Sequence, residues 1–322
     1  MSAVAGPGAE RPAGTPEELA AVAAALGDLA RPDVPLAPST TYRVGGHAAV
    51  LVEAATTDDL RRVAASVAPT SVPVLVVGRG SNLLVADAGF AGVVVVLAAG
   101  AWDDVDIEGT RVVAGAAAAL PVVARRTAAA GLRGFEWAVG VPGSVGGAVR
   151  MNAGGHGSDM ASSLTRVRSF DLRTGEDAWV PATALDLAYR HSAVGPDEVV
   201  LAAELVLERG DRHEAEALLA EIVAWRRANQ PGGANAGSVF TNPPGDSAGR
   251  LIDTAGGRGL RHGTAEVSTR HANFIQADPG GSADDIAALM DEVVALVGDA
   301  HGVTLHPETR LVGFPGTLGG PR

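Results

Sequence analysis

Residues 140–155 read Gly-Val-Pro-Gly-Ser-Val-Gly-Gly-Ala-Val-Arg-Met-Asn-Ala-Gly-Gly, six glycines with one charged side chain, Arg150. So much glycine makes a poor helix or strand interior, because glycine loses more backbone freedom on ordering than any other residue. A solvated linker, in turn, normally carries more polar side chains. A structured loop is expected, where the backbone closely approaches something else. A second stretch of this kind, Gly78-Arg79-Gly80-Ser81-Asn82, follows the apolar run 72–77. A glycine-rich turn after a buried strand can aim successive N–H groups at a pyrophosphate. This one lacks the third glycine of a dinucleotide fingerprint, and Leu83-Leu84-Val85 continues as an apolar run instead of opening a helix. A plain tight turn would use the same residues. Two such loops in one α/β region, however, are what a bulky anionic cofactor requires.

Composition restricts how such an anion is held. The rows contain no lysine, so all 25 basic residues of the 322 are arginines, and there is no cysteine. Schiff-base chemistry and a P-loop lysine are excluded. Thiolate nucleophiles, disulfides and cysteine-bound zinc or iron–sulfur clusters are excluded too. Anion binding falls to arginine, backbone N–H groups, the hydroxyls of Ser81 and Ser144, and the amides of Asn82 and Asn152. With a formal net charge of −12, a nucleic-acid or anionic-membrane surface is not expected. No apolar run approaches the roughly 18 residues of a membrane span. Residues 1–14 lack the basic start and apolar stretch of a signal peptide and are expected to be a disordered tail. The expected location is the cytoplasm.

Along the chain, Thr15-Pro16-Glu17-Glu18 opens a helix expected to reach about residue 29. Strands are expected at 48–52, 72–77, 93–97 and 111–114, and helices at 58–66 and 120–130, the latter ended by Gly131. Further strands are expected at 164–171 and 198–207, then a helix at 213–228. Residues 230–237 are rich in Pro, Gly and Asn and read as a hinge. Beyond it come a strand at 238–241, a helix at 247–255 and a helix at 282–297. The last has a serine N-cap and apolar Ile286, Leu289, Met290, Val293, Leu296 and Val297 at helical spacing.

Three segments set polar residues among apolar ones: Tyr189-Arg190-His191-Ser192, Gly237-Ser238-Val239-Phe240-Thr241-Asn242-Pro243 and His306-Pro307-Glu308-Thr309-Arg310. Singly, each is unremarkable: Arg190 suits a surface ion pair, Ser238 a strand end and Glu308 an exposed loop. In order with Tyr42-Arg43-Val44-Gly45-Gly46, the two glycine-rich loops, Ala248-Gly249-Arg250-Leu251-Ile252 and His271-Ala272-Asn273-Phe274-Ile275, they resemble the UDP-N-acetylenolpyruvoylglucosamine reductase family. The resemblance spans about residues 36 to 315.

That resemblance implies an α+β protein with a two-subdomain FAD-binding fold of the vanillyl-alcohol-oxidase (PCMH) type and a C-terminal α+β substrate domain. The implied division is 15–97 and 98–210 for the flavin, 211–302 for the substrate, and 303–322 for a strand returning to the first subdomain, and a tail. It implies noncovalent FAD, NADPH as reductant and UDP-N-acetylglucosamine enolpyruvate as substrate, in peptidoglycan precursor synthesis, with the chain acting as a monomer. Arg43, Gly78, Arg79, Gly80, Ser81, Asn82, Leu83, Pro142, Gly143, Ser144, Gly146, Gly147, Asn152 and Gly154 correspond to cofactor-binding positions. Tyr189, Gln230 and Asn242 correspond to substrate-binding ones. Ser238 would be the acid protonating substrate C2 after hydride passes from flavin N5 to C3, and Arg190 with Glu308 would polarise the enolpyruvyl carboxylate. The types suit the chemistry. A guanidinium fork binds a charged carboxylate bidentately, and a glutamic acid kept protonated can donate a further hydrogen bond.

The chain departs from the family in having only two tyrosines, Tyr42 and Tyr189, and no room for the Tyr-bearing loop that some members fold over the UDP-sugar. It therefore resembles the shorter subtype. Where relatives often use lysine near the diphosphate, it has Gln230, with Arg226 and Arg227 upstream. Two other readings stay open on the sequence: an FAD oxidase or dehydrogenase of the same fold acting on a sugar or hydroxy acid, and a nucleotide-sugar binding module without turnover. Metal binding is not expected.

Overall fold

A computed structural model describes residues 14–317. The expected tail therefore lies outside the described residues except for Gly14. The described residues form two compact units. The first holds the residues up to Pro32, Val50–Arg79 and Ala91–Ala224; the second holds Asp33–Ala49, Gly80–Phe90 and the chain from Trp225.

In the first unit the helix Pro16–Leu26 opens with a capping box, Thr15 accepting from the Glu18 N–H and Glu18 returning the bond. A four-stranded sheet, most of it in this unit, orders Arg31–Pro35, His47–Ala54, Phe90–Leu97 and Val74–Val77. Its last two strands run parallel, Val74 beside Val93 through Val77 beside Val96. Valine supplies most of these positions, and its stiff, β-branched side chain suits a pleated, buried surface. The helix Thr57–Val67, boxed by Thr56 and Asp59, buries Leu60, Val63, Ala64 and Val67. These pack with Val50, Val52, Val93 and Val95 in one core cluster.

A five-stranded antiparallel sheet follows, in the order Asp177–Pro181, Leu164–Asp171, Glu198–Val206, Arg111–Gly115 and Val105–Glu108. One core gathers its Val112, Ala114, Val167, Ala203 and Leu205 with Leu120, Val123 and Ala124 of the helix Leu120–Ala129. The edge strands 105–108 and 177–181 are absent from the sequence expectation. They are short and half-exposed, so their apolar signal is weak. The glycine-rich stretch also corrects its reading as loop throughout: Val145–Arg150 is a short helix. Ser144 caps it, accepting from the Gly147 N–H, while Val145, Ala148 and Val149 go into the core. Cap and burial together outweigh the cost of two glycines.

On this sheet Glu204, side chain 11% exposed, accepts from Arg111 at 2.7 Å and Arg166 at 2.9 Å, and Arg166 lies over the Trp179 ring at 4.6 Å. The Arg166 bond, with that of Arg111, holds the Glu204 carboxyl down at about 2 against the desolvation that opposes it. A carboxylate depressed in the folded state stabilises fully above its unfolded value near 4.5 and loses that contribution as pH falls toward 2. Glu204→Gln should therefore cost roughly 1–2 kcal/mol at neutral pH, after allowance for two half-exposed arginines. In thermal melts, the gap between wild type and variant should close as pH drops to about 2–3.

In the second unit a three-stranded antiparallel sheet, Arg261–His262, Ala265–Val267 and Ile275–Ala277, packs with the helix Ala283–His301. That helix runs from the Ser282 N-cap to Gly302 at φ +67, and it buries Ile286, Leu289, Met290, Val293 and Val297. The helix Ala248–Thr254 adds Ala248, Leu251 and Ile252 to the same core. Arg310–Val312 pairs in parallel with Leu83–Val85. The strand expected at 238–241 does not form: of its residues only Phe240 makes a bridge, to Pro307. Its main chain bonds instead to the Asn273 side chain and to residues 306–309.

Candidate functional site

The first unit brings Gly78 and Arg79 of one glycine-rich loop to residues 144–147 of the other. A Cβ on Gly78 would stand 2.6 Å from Ser144 Oγ, and one on Gly146 would stand 3.0 Å from the Ala116 Cβ. Approaches this close leave little room for a side chain at either position. Gly78, Arg79, Ser144, Gly146 and Gly147 share a cavity of about 280 Å³ with the strand residues Val76, Val77, Val96 and Leu97. Arg150, Asp103 and Glu198 line it too. None of the three stands out in the sequence, since a single charge at the end of a helix or strand or in a loop carries no local signal.

This wall suits a large dinucleotide. It offers exposed glycine backbone at 78 and 147, a hydroxyl, the exposed Arg79 guanidinium for phosphate, carboxylates that accept from sugar hydroxyls, and valine and leucine for an apolar ring. Arg150 donates to the Val194 carbonyl at 3.0 Å and to the Gly195 carbonyl. The set fits FAD, and it does so without lysine. Gly143 is buried, its carbonyl accepting from the Leu120 N–H at 3.0 Å, and Pro142 is exposed beside it.

Farther along, Asn152 sits at φ +38, 2% exposed. Its amide donates to the Ala188 carbonyl at 2.9 Å and to Asp159 at 3.2 Å, and its oxygen accepts from the Ala161 N–H at 2.9 Å. Ala188 and His191 exchange two main-chain bonds of 3.1 and 3.0 Å around the turn Tyr189-Arg190. Arg190 takes a left-handed φ of +56 there, a conformation held only when the surroundings fix it. Its guanidinium donates to the Gly154 carbonyl at 3.2 Å and lies 5.2 Å from the Tyr189 ring centroid, which is 59% exposed. Asn152, Gly154, Tyr189 and Arg190 are thus one connected group.

In the second unit, Gly80 has φ +57, and a Cβ there would lie 2.7 Å from Thr40 Cα. Its carbonyl accepts from the Thr41 N–H at 3.1 Å. Arg43, at φ +57, is exposed, with its N–H on Thr40 Oγ1 at 3.1 Å. Asn82 donates to the Glu308 carbonyl at 3.0 Å and accepts from the Arg310 N–H at 3.1 Å. Ser81 is half-buried, and Leu83 is buried beside Arg310.

Ser238 and Glu308 lie on segments bonded directly to one another. The Glu308 N–H donates to the Val239 carbonyl at 2.7 Å, and the Thr241 N–H donates to His306 at 2.9 Å. Both Ser238 and Glu308 are half-buried. Asn242 is exposed, and its side-chain oxygen accepts from the Ala248 N–H at 3.1 Å, at the start of a helix. Gln230 is half-buried, and its Oε1 has no partner among the described residues. Arg226 precedes it in the last turn of Arg212–Asn229, and burial lowers its pKa. The buried Tyr42 hydroxyl also lacks a side-chain hydrogen bond, and burial pushes its pKa up.

The family model of the UDP-N-acetylenolpyruvoylglucosamine reductase C-terminal domain matches residues 229–312, and that of an FAD binding domain matches residues 48–179. The chain is 45% identical over 284 residues to the UDP-N-acetylenolpyruvoylglucosamine reductase of Acidiphilium cryptum, covering 88% of this chain and 91% of that one. It is 43% identical to the reductase of Synechococcus sp. strain CC9311, covering 88% and 94%. The crystal structure of the Thermus caldophilus reductase superposes with a TM-score of 0.77 at 36% identity, covering 88% of this chain and 99% of that one. The chain therefore belongs to the UDP-N-acetylenolpyruvoylglucosamine reductase family.

Proposed function

We propose that this chain reduces the enolpyruvyl group of UDP-N-acetylglucosamine enolpyruvate to UDP-N-acetylmuramate. The protein is an FAD-dependent oxidoreductase of peptidoglycan precursor synthesis, with an α+β FAD-binding fold of the vanillyl-alcohol-oxidase type, a C-terminal α+β domain and NADPH as reductant. Family membership thus decides among the readings that the sequence left open. The cavity where the two glycine-rich loops meet carries the cofactor assignment. When bound, FAD supplies the hydride that adds to C3 of the enol ether.

The chain's own groups hold FAD and complete the reaction. Gly78, Arg79, Ser144, Gly146 and Gly147, with Arg150, hold the cofactor in the first unit; Arg43, Gly80, Ser81, Asn82, Leu83, Pro142, Gly143, Asn152 and Gly154 are further cofactor-binding positions of the proposal. Arg190 binds the enolpyruvyl carboxylate and takes up the charge that spreads into it from C2. Glu308 acts with Arg190 in polarising that carboxylate. An oxyanion stabiliser of this kind is worth about 3–4 kcal/mol. The Ser238 hydroxyl gives its proton to C2, and the resulting alkoxide regains one from solvent. The C2 carbanion is basic enough to deprotonate an alcohol.

Tyr189, Gln230 and Asn242 contact the UDP-sugar, with Arg226 and Arg227 near its diphosphate. Residues 15–97 and 98–210 serve the flavin and 211–302 the substrate, in a cytoplasmic monomer. No helix of the described residues is long and apolar enough to cross a membrane.

The cofactor assignment is tested at Gly146. A valine there puts a Cβ 3.0 Å from Ala116 and 3.6 Å from Val200 and adds two methyl groups at the cavity wall. Gly146→Val should purify folded, by circular dichroism, but with visible flavin absorbance well below that of wild type. Stoichiometric flavin in this variant would contradict the assignment.

A further inference from the structure

We infer that Asn273 is a positioning residue for proton delivery, its carboxamide fixing the main chain that carries Ser238; this rests on the reading of Ser238 as the proton donor.

Among the described residues the segment 237–241 has no neighbouring strand, yet its main chain is bonded on both sides. On one side the Val239 carbonyl accepts from the N–H groups of Glu308 at 2.7 Å and Thr309 at 3.3 Å, and the Thr241 N–H donates to His306. On the other side the partner of Val239 and Phe240 is Asn273. Its carbonyl accepts from the Val239 N–H at 2.9 Å, its Oδ1 accepts from the Phe240 N–H at 3.0 Å, and its Nδ2 donates to the Phe240 carbonyl at 2.8 Å.

A carboxamide is suited to this task because it offers an acceptor and a donor side by side in one plane, matching both polar groups of one residue. Asn273, Val239 and Phe240 are 4%, 0% and 1% exposed, so water cannot take over the role. Ser238 is the residue before this clamp, and Glu308 belongs to the segment on its far side. One side chain, 33 positions away from Phe240, therefore holds the register of a proton donor and of a carboxylate binder.

Asn273 is itself fixed. Its N–H donates to His271 Nδ1 at 3.2 Å, and the His271 ring stands edge-on to Phe274 at 4.8 Å. Burial, then Arg258, holds the His271 pKa below its ordinary value, which keeps Nδ1 available as an acceptor. Gly249 leaves room for the pair: a Cβ there would approach His271 to 3.3 Å and Asn273 to 3.7 Å.

The test compares the two half-reactions of flavin-loaded Asn273→Ser and Asn273→Leu by stopped flow, under anaerobic conditions, beside wild type and Ser238→Ala. Misplacement of a reacting group by about 1 Å costs on the order of 10²-fold. Reoxidation of the reduced flavin by UDP-N-acetylglucosamine enolpyruvate should accordingly slow about 10–100-fold. Its solvent deuterium isotope effect should rise above that of wild type. Reduction by NADPH and the KM for the UDP-sugar should change only a few fold, because neither involves the Ser238 proton. Wild-type reoxidation overturns the inference. So does an equal loss in both half-reactions or loss of bound flavin in both variants, which would make Asn273 a packing residue. Unimpaired reoxidation in Ser238→Ala instead overturns the proton-donor reading itself, separating the two claims.

Discussion

Ser238→Ala should lower kcat by about 10²–10⁴-fold, the range expected for loss of a positioned general acid. The loss should fall on substrate reduction alone. A serine hydroxyl is a weak acid, so its value lies in placement, and the structure provides that through the bonds to Val239 and Phe240 on either side. Removing one oxygen from a half-buried side chain leaves those main-chain bonds in place. Flavin content, the melting temperature and the rate of reduction by NADPH should stay near wild type. Stopped-flow reoxidation by the enolpyruvyl substrate should show the full deficit. Activity near the wild-type rate would remove Ser238 from the mechanism.

Arg190→Lys should cost about 10²–10³-fold in kcat, comparable to removing one donor from an oxyanion site. The substitution keeps a positive charge but replaces a planar fork by a point charge, and a fork matches a carboxylate through two parallel bonds. The turn should survive it, because Ala188 and His191 exchange their own main-chain bonds and Asn152 holds the Ala188 carbonyl. The left-handed φ of +56 at Arg190 will strain a lysine no more than an arginine. Steady-state kinetics with varied UDP-sugar measure the effect. A variant whose kcat matched wild type would show that the fork is not needed to stabilise charge on the carboxylate.

Long-period signals were readable from the residues alone, and close tertiary substitutions were not. The helix Ala283–His301 was legible because Ser282 caps it and its apolar residues repeat at helical spacing. The strand Phe90–Leu97 was legible from its run of valines. Capping and burial in Val145–Arg150 act against glycine's local preference, so local composition misread that segment as loop. Segment 238–241 carries the β-branched and aromatic residues of a strand, but Asn273 and residues 306–309 take the place of a neighbouring strand. No local pattern reveals a partner so far along the chain.

The same holds for the site. Glycine loops at 78 and 144–147 announced themselves by composition, and the structure joins them at one cavity. Arg150, at the end of a short helix, Asp103 in a loop and Glu198 at a strand start became visible only once the tertiary fold brought them to one cavity. Arg190 was identified by motif, whereas the connected group of Asn152, Gly154 and Tyr189 around it needed coordinates.

The central claim is that this chain couples NADPH oxidation to reduction of an enolpyruvyl UDP-sugar. It is tested most directly by following NADPH oxidation anaerobically, with and without UDP-N-acetylglucosamine enolpyruvate, while quantifying the product. Oxidation should stop after a single flavin equivalent without the UDP-sugar. With it, oxidation should proceed with UDP-N-acetylmuramate formed mole for mole. With oxygen present, rapid NADPH consumption that ignores the UDP-sugar, together with no UDP-N-acetylmuramate in the anaerobic reaction, would contradict the account.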